Sequence, residues 1–190
     1  MKLVGSTTSP YARRIRLLLA DTPHEFVNLD IYGSDRDELR RTTPALKIPM
    51  LVDNNLTLYD SRVIARYLGQ KMGLPALSWD QENLLTLVDA ANDSFVSLLL
   101  SKRSGIDTDQ DLLFYNLQRE RVTRSLTALA DAVDRGAFDN WDYPAICLFC
   151  LVDWIDFREL LTGADAPRLR AFRDHCLAQP GVAATDPRNG

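Results

Sequence analysis

Residues 43–61 read TPALKIPMLVDNNLTLYDS, and this stretch decides the fold of the first part of the chain. Pro49 to Val52 and Leu56 to Tyr59 are short strand-like runs around Asp53-Asn54-Asn55, turn formers that join them as a hairpin. Asp60 and Ser61 follow, and either can cap a helix on which Val63, Ile64, Tyr67 and Leu68 recur at helical spacing. Upstream, Lys2 to Gly5 is β-like and Pro10 opens a helix carrying Ile15, Leu17, Leu18 and Leu19. Glu25 to Leu29 alternates as a second strand, and Asp35 to Thr42 is a short polar helix. The order over residues 1–75 is therefore βαβαββα.

Downstream the pattern changes. From Asp80 to about Gln179 there is no strand-like alternation and helical periodicity dominates, which places a domain boundary near residues 74–79 and an all-helical domain over 80–190. Helices are expected over 80–103 and 109–135, the second with Leu112, Leu113, Tyr115, Leu117, Val122, Leu126, Leu129 and Val133 on its apolar face. Pro144 to Leu161 is apolar nearly all round, as in the buried helix of a bundle, with Asp142 placed to cap it. A last helix runs from about 166 to 178.

Composition narrows the function classes. The chain has 190 residues, 46% hydrophobic and 25% charged, an ordinary globular balance. A net charge of -4 supplies no basic field for nucleic acid or anionic lipid. No signal peptide is legible at the N-terminus and the apolar runs look too short to span a membrane, so a cytoplasmic, soluble protein is expected. Three late cysteines and two histidines suit neither a disulfide framework nor a metal site, so no metal is expected.

Three motifs fall in order within this layout: Ser9-Pro10-Tyr11-Ala12-Arg13-Arg14-Ile15-Arg16, Thr43-Pro44-Ala45-Leu46-Lys47-Ile48-Pro49 and Tyr59-Asp60-Ser61. They resemble, respectively, the strand-to-helix segment, the loop leading to a cis-proline and the acidic-serine pair of the cytosolic glutathione S-transferases. The resemblance covers essentially the whole chain. It implies a thioredoxin-like α/β domain over 1–75 followed by the helical domain, glutathione as co-substrate, and a homodimer paired through the helix after Asp60-Ser61 and the first bundle helices.

The resemblance also implies roles, and elementary chemistry supports them. At the start of the first helix, orphan N–H groups and the macrodipole favour an anion, so Ser9 can stabilise a glutathione thiolate; it can equally be a plain N-cap. Ser6, Thr7 and Thr8 are neighbouring hydroxyls that could serve instead. An Ile48-Pro49 bond in the cis form would turn backbone groups outward to pair with the extended tripeptide, whereas a trans proline at a strand edge would not. Asp60 and Ser61 would hold the ammonium and carboxylate of the γ-glutamyl end, unless they only cap their helix. Lys47 and Arg36 are the two candidate cations for the glycine carboxylate. The electrophile is expected between Tyr11 and the helix of residues 80–103, near Phe95.

Several features point elsewhere. A serine cannot form a mixed disulfide, so reductase or peroxidase chemistry at position 9 is disfavoured. Cys147-Leu148-Phe149-Cys150 is a C-x-x-C inside the most apolar helix, where cysteines act as small hydrophobes. Arg13, Arg14 and Arg16 read as a solvated helix face, and Tyr143, Trp154 and Phe157 as bundle core. Leu46 stands where the family's loop often has glycine, and Ala145 where the buried helix often has an aspartate that would complete a capping box with Asp142. A second class remains open: a non-catalytic binding or regulatory module on the same fold, of the stringent-starvation type that contacts RNA polymerase.

Overall fold

A computed structural model describes residues 1–189 and divides into two compact units, 1–76 with 176–189, and 77–175. In the first unit, strand β1 (Lys2–Gly5) leads to helix α1 (Pro10–Leu18), then β2 (Glu25–Asn28), α2 (Arg36–Thr42), β3 (Met50–Asp53), β4 (Leu56–Tyr59) and α3 (Ser61–Met72). The sheet order is β2-β1-β3-β4, with β1 parallel to β2 and antiparallel to β3, which is antiparallel to β4. This is a thioredoxin-like sheet. Asn54, at φ 54, turns β3 into β4, a left-handed conformation that asparagine tolerates better than most residues.

Strand alternation sorts the sheet into two faces. Val4, Met50 and Leu29 form one cluster with Val27, Ile31, Val52 and Tyr59 packed on it. Leu3 and Leu51 are register partners of opposite parity to Val4 and Met50, and both are fully buried. Gly5 shares their face, and a Cβ there would lie 2.7 Å from Ala12 Cβ, so only glycine lets α1 approach β1 this closely. Helix α3 packs against α1, β3 and β4, and ends in a left-handed Gly73 with Leu74 N–H donating to Gly69 C=O at 2.8 Å. Asp53 closes the far end of the hairpin onto α3 by accepting from Tyr67 Oη at 2.6 Å and from Lys71 Nζ. The bonds from Lys71 and Tyr67 hold the Asp53 carboxyl below the usual carboxylate range, and Asp53 in turn raises both partners.

The arginine-rich side of α1 is not a solvated face. Arg13 and Arg14 are buried, and Arg14 lies 4.8 Å over the Tyr11 ring. For Arg13 the reason is the chain's tail, which was expected in the helical domain but groups with this unit from residue 176. Two 3-10 turns, Ala183–Thr185 and Pro187–Asn189, run there, and Arg13 Nη2 donates to Val182 C=O at 3.1 Å.

The second unit holds α4 (Trp79–Arg103), α5 (Leu113–Asp134), α6 (Tyr143–Phe157) and α7, Ala166–Cys176 but for its last residue. Helix α4 packs on both α5 and α6. It is long and apolar enough to cross a membrane by length and composition, beyond what its sequence suggested, yet Asn92 and Ser94 lie buried on it and Arg121 of α5 donates to Ser94 Oγ at 3.1 Å. Helix α5 starts later than its sequence pattern suggests, and Leu112, Leu113 and Leu117 are exposed rather than packed. Upstream, Asp107 accepts from Asp109 N–H at 2.9 Å and Arg119 Nη2 donates to Gln110 C=O at 3.2 Å, local bonds that compete with helical ones. Helix α6 is buried along nearly its whole length, including Trp154 and Tyr143.

The two helix starts of this unit are tied together. Ser78 and Gln81 form a capping box on α4, and Gln81 Nε2 also donates to Asp142 Oδ2 at 2.9 Å. Asp142 caps α6 by accepting from Ala145 N–H at 3.1 Å. Its own N–H is already bonded to Asn140 C=O at 2.9 Å, so an aspartate at position 145 would find its capping-box partner occupied. Arg168 closes α7 onto α5 by bonding Asp131 and Asp134 while holding Asp165. Asp156 sits between Arg170 and Arg173; burial works against its charge, but the two guanidiniums keep its pKa low.

Candidate functional site

The register brings the three motifs to one end of the sheet. Met50 lies opposite both Val4 and Tyr59, the penultimate and last residues of β1 and β4. Just beyond this row, β1 leaves toward Ser9, β3 is entered from Pro49, and β4 leaves into Asp60. Ser9, Ile48-Pro49 and Asp60-Ser61 therefore gather beside adjacent strands although up to 52 positions separate them in sequence.

Ser9 is the N-cap of α1: its Oγ accepts from Ala12 N–H at 3.2 Å, and its own N–H donates to Ser6 C=O at 3.1 Å. A capping hydroxyl uses only a lone pair, so its single O–H stays available to an incoming anion. Cap and thiolate donor are thus compatible roles. Of the alternative hydroxyls, Ser6 Oγ and Thr8 Oγ1 lie 3.4 Å from each other, while Thr7 N–H donates to Asn28 Oδ1 at 2.9 Å. Among the four hydroxyls, Ser9 is the one whose oxygen bonds the first turn of α1.

The Ile48-Pro49 peptide bond is cis. Ile48 is half-buried, and its backbone N–H and C=O have no hydrogen-bond partner among the described residues. Such groups can receive an extended peptide as an added strand. Leu46, two residues earlier, has φ 53 and an exposed side chain. A left-handed backbone explains why glycine suits this position, and leucine here adds a conformational cost. Lys47 is exposed and carries no bond to a described residue, whereas Arg36 Nη1 donates to Ile31 C=O at 3.4 Å.

Asp60 caps α3 through Oδ1, which accepts from Arg62 N–H at 2.8 Å and Val63 N–H at 3.3 Å. This leaves Oδ2 for an ammonium. Asp60 also holds φ 72 and ψ 135, a conformation that costs a non-glycine residue about 1–3 kcal/mol and that clusters at ligand sites. Ser61 is buried at the first position of the helix.

Tyr11 is half-buried on α1 of the first unit. Phe95 is buried on α4 of the second, where it lines a cleft of about 260 Å³ with Leu98, Arg119, Val122, Leu126 and Leu160. Lys102 and Arg119 line an adjoining cleft with Phe95, and neither was singled out from the sequence, where both look like solvated helix positions. Cys147 and Cys150 are fully buried in α6, and burial pushes the Cys176 thiol up to about 11.

A cis-proline loop, a capped helix start and an acidic-serine turn at one end of a thioredoxin-like sheet, together with a separate helical unit, define a two-domain class of thioredoxin-like proteins. A family model described as the glutathione S-transferase N-terminal domain matches residues 3–76. The uncharacterized GST-like protein YibF of Escherichia coli K12 is 29% identical, the alignment covering 98% of each chain. A glutathione transferase family member from Pseudomonas fluorescens Pf-5, solved with bound glutathione, shares the fold at a TM-score of 0.77 with 27% identity and 98% of each chain covered. A glutathione S-transferase from Methylobacillus flagellatus KT has the same fold at a TM-score of 0.83, over 98% of each chain, with 21% identity. Residues 3–76 thus match the glutathione S-transferase N-terminal domain, and over its whole length the chain is similar to proteins of that family.

Proposed function

We propose that this protein is a glutathione transferase: it binds reduced glutathione at the sheet end described above, lowers the pKa of its thiol, and directs the thiolate at a small electrophile. The observation that carries this reading is Ser9, whose oxygen is bonded to the first turn of α1 while its O–H remains to donate. Ile48 would align the cysteinyl backbone, with Pro49 fixing the turn. Asp60 Oδ2 and Ser61 would hold the γ-glutamyl end, and Lys47 the glycine carboxylate. Phe95, with the apolar walls of its cleft, is the residue we assign to the electrophile.

The chemistry needs little beyond placement and charge. A thiol of pKa about 8.5 is mostly protonated at neutral pH, and lowering it by about two units corresponds to roughly 2.7 kcal/mol. A charge-assisted hydrogen bond from Ser9 together with the positive end of α1 is of that size. Val63 and Met72 on α3, Leu56 on β4 and Trp79 at the start of α4 are exposed apolar groups that suit a homodimer interface. Detoxification in the cytoplasm fits this reading.

The test is a titration of wild type and Ser9→Ala with reduced glutathione, following heat and thiolate absorbance in the same samples. The proposal requires that wild type bind and generate thiolate while Ser9→Ala binds without it. A second reading is a non-catalytic binding or regulatory module on the same fold, in which Ser9 serves as an N-cap alone. That reading requires no thiolate in either protein.

A further inference from the structure

We infer that the segment from Gly181 to Pro187 is a strap that sets the position of Ser9, with Arg13 and Thr185 as positioning residues for the thiol site. The inference rests on the proposal that Ser9 donates to the glutathione thiolate. It begins with the shortness of α1. Nine residues form a helix that is marginal by itself, so packing must fix where its N-terminus points.

Helix α3 and strand β1 pack on α1, and the strap adds buried hydrogen bonds along it. One turn after Ser9, Arg13 N–H donates to Ser9 C=O at 3.0 Å, so the backbones of the two residues are directly bonded. The Arg13 side chain is 3% exposed, with Nε donating to Thr185 Oγ1 at 3.2 Å and Nη2 to Val182 C=O at 3.1 Å. Thr185 Oγ1 itself donates to the same Val182 carbonyl at 3.4 Å, closing a triangle of polar groups that is buried throughout. One turn further along α1, Arg16 Nη2 lies 3.5 Å from Ala184 C=O. Past the C-terminal end, Gly181 sits at φ 78, and a Cβ there would be 2.8 Å from Ala20 Cβ and 3.4 Å from Leu17 Cδ2.

The tail is thus seated on positions 13, 16, 17 and 20, and its innermost bonds lie in the turn next to Ser9. A buried guanidinium that loses an acceptor is costly, so the side chain shifts or draws in water, and α1 moves with it. Hydrogen bonds weaken steeply with misalignment, so a small displacement is felt first in the Ser9 bond to the thiolate. The groups proposed to hold the rest of glutathione belong to other segments, Ile48-Pro49 and Asp60-Ser61, which none of these strap bonds touches.

The experiment compares full-length wild type, Thr185→Val, Thr185→Ser, Gly181→Ala and Ser9→Ala. Two quantities are read: the pKa of the bound thiol, from thiolate absorbance against pH at saturating glutathione, and the Kd of S-methylglutathione, which has no thiol. Thr185→Val removes the hydroxyl at nearly constant volume and is expected to raise the bound-thiol pKa by about one unit, a tenfold loss of thiolate below that pKa, with the S-methylglutathione Kd within about twofold of wild type. Thr185→Ser restores the pKa. Gly181→Ala lifts the other end of the strap and shifts the pKa in the same direction, which keeps the inference testable if Thr185→Val does not fold. An unchanged pKa in Thr185→Val or Gly181→Ala, with Ser9→Ala raised, overturns the strap and leaves the Ser9 proposal standing. So does a parallel loss of S-methylglutathione binding, which would mark a general folding role. No thiolate in wild type overturns the Ser9 proposal, and the strap's role with it.

Discussion

Replacing Gln81 by methionine tests whether the starts of α4 and α6 are energetically coupled. Methionine keeps the volume and the helix propensity of glutamine, so the change is confined to two hydrogen bonds. The first, from Ser78 N–H to Gln81 Oε1 at 3.0 Å, is exposed and is worth about 0.5 kcal/mol, the lower end for a neutral bond. The second, from Gln81 Nε2 to Asp142 Oδ2 at 2.9 Å, has a charged acceptor in a half-buried setting and is worth about 1.5 kcal/mol. Their sum predicts a destabilisation of about 2 kcal/mol for Gln81→Met. Asp142→Ala loses the α6 cap, about 1 kcal/mol, together with the same Gln81 bond. The shared bond can be lost only once, so the double variant should fall short of the sum of the singles by about 1.5 kcal/mol. Trp79, Trp141 and Trp154 all lie within residues 77–175, so urea unfolding followed by tryptophan fluorescence reports on this unit. Additivity within about 0.3 kcal/mol would refute the coupling.

Asp53→Asn is expected to lower the thermal midpoint at pH 7 by removing the charge that Lys71 meets. Because the folded-state pKa of Asp53 is lowered, its stabilisation is present above the unfolded value of about 3.9 and is lost as pH falls through the folded value. Calorimetry should therefore show the gap between wild type and variant closing below about pH 4, and a constant gap would contradict the ion pair. A chromogenic thiol reagent at pH 8 should leave Cys147, Cys150 and Cys176 unmodified in the folded protein and modify all three in denaturant. Cys176, near 11, is thiolate in about one molecule in a thousand at that pH, and rapid labelling of any one thiol would show that the burial is wrong.

The candidate site was legible in the sequence because each of its parts is local chemistry. Ser9 before Pro10, Ile48 before Pro49 and Asp60 before Ser61 are neighbours in the chain, and caps and turns are written in adjacent residues. Arg13 and Arg14 misled because three charges on a nine-residue helix look like a face turned to water. The burial of Arg13 depends on a segment about 170 residues away, which no periodicity reports. The apolar face drawn for α5 went wrong at its start for a related reason: Leu112 and Leu113 fit a helical pattern, but Asp107 and Arg119 bond the loop before them instead.

The sequence by itself determined the order of elements, a boundary near residues 74–79 and the residue types at the three motifs, since strand alternation, helical period and turn chemistry are short-range properties. Only the tertiary structure decided that the motifs meet beside one row of the sheet, that Gln81 ties two helix starts together, and that the tail returns to grip α1. Those outcomes depend on sheet register and on contacts between residues far apart in the chain. A chain settles such contacts only by finding which distant surfaces bury one another and satisfy each other's polar groups.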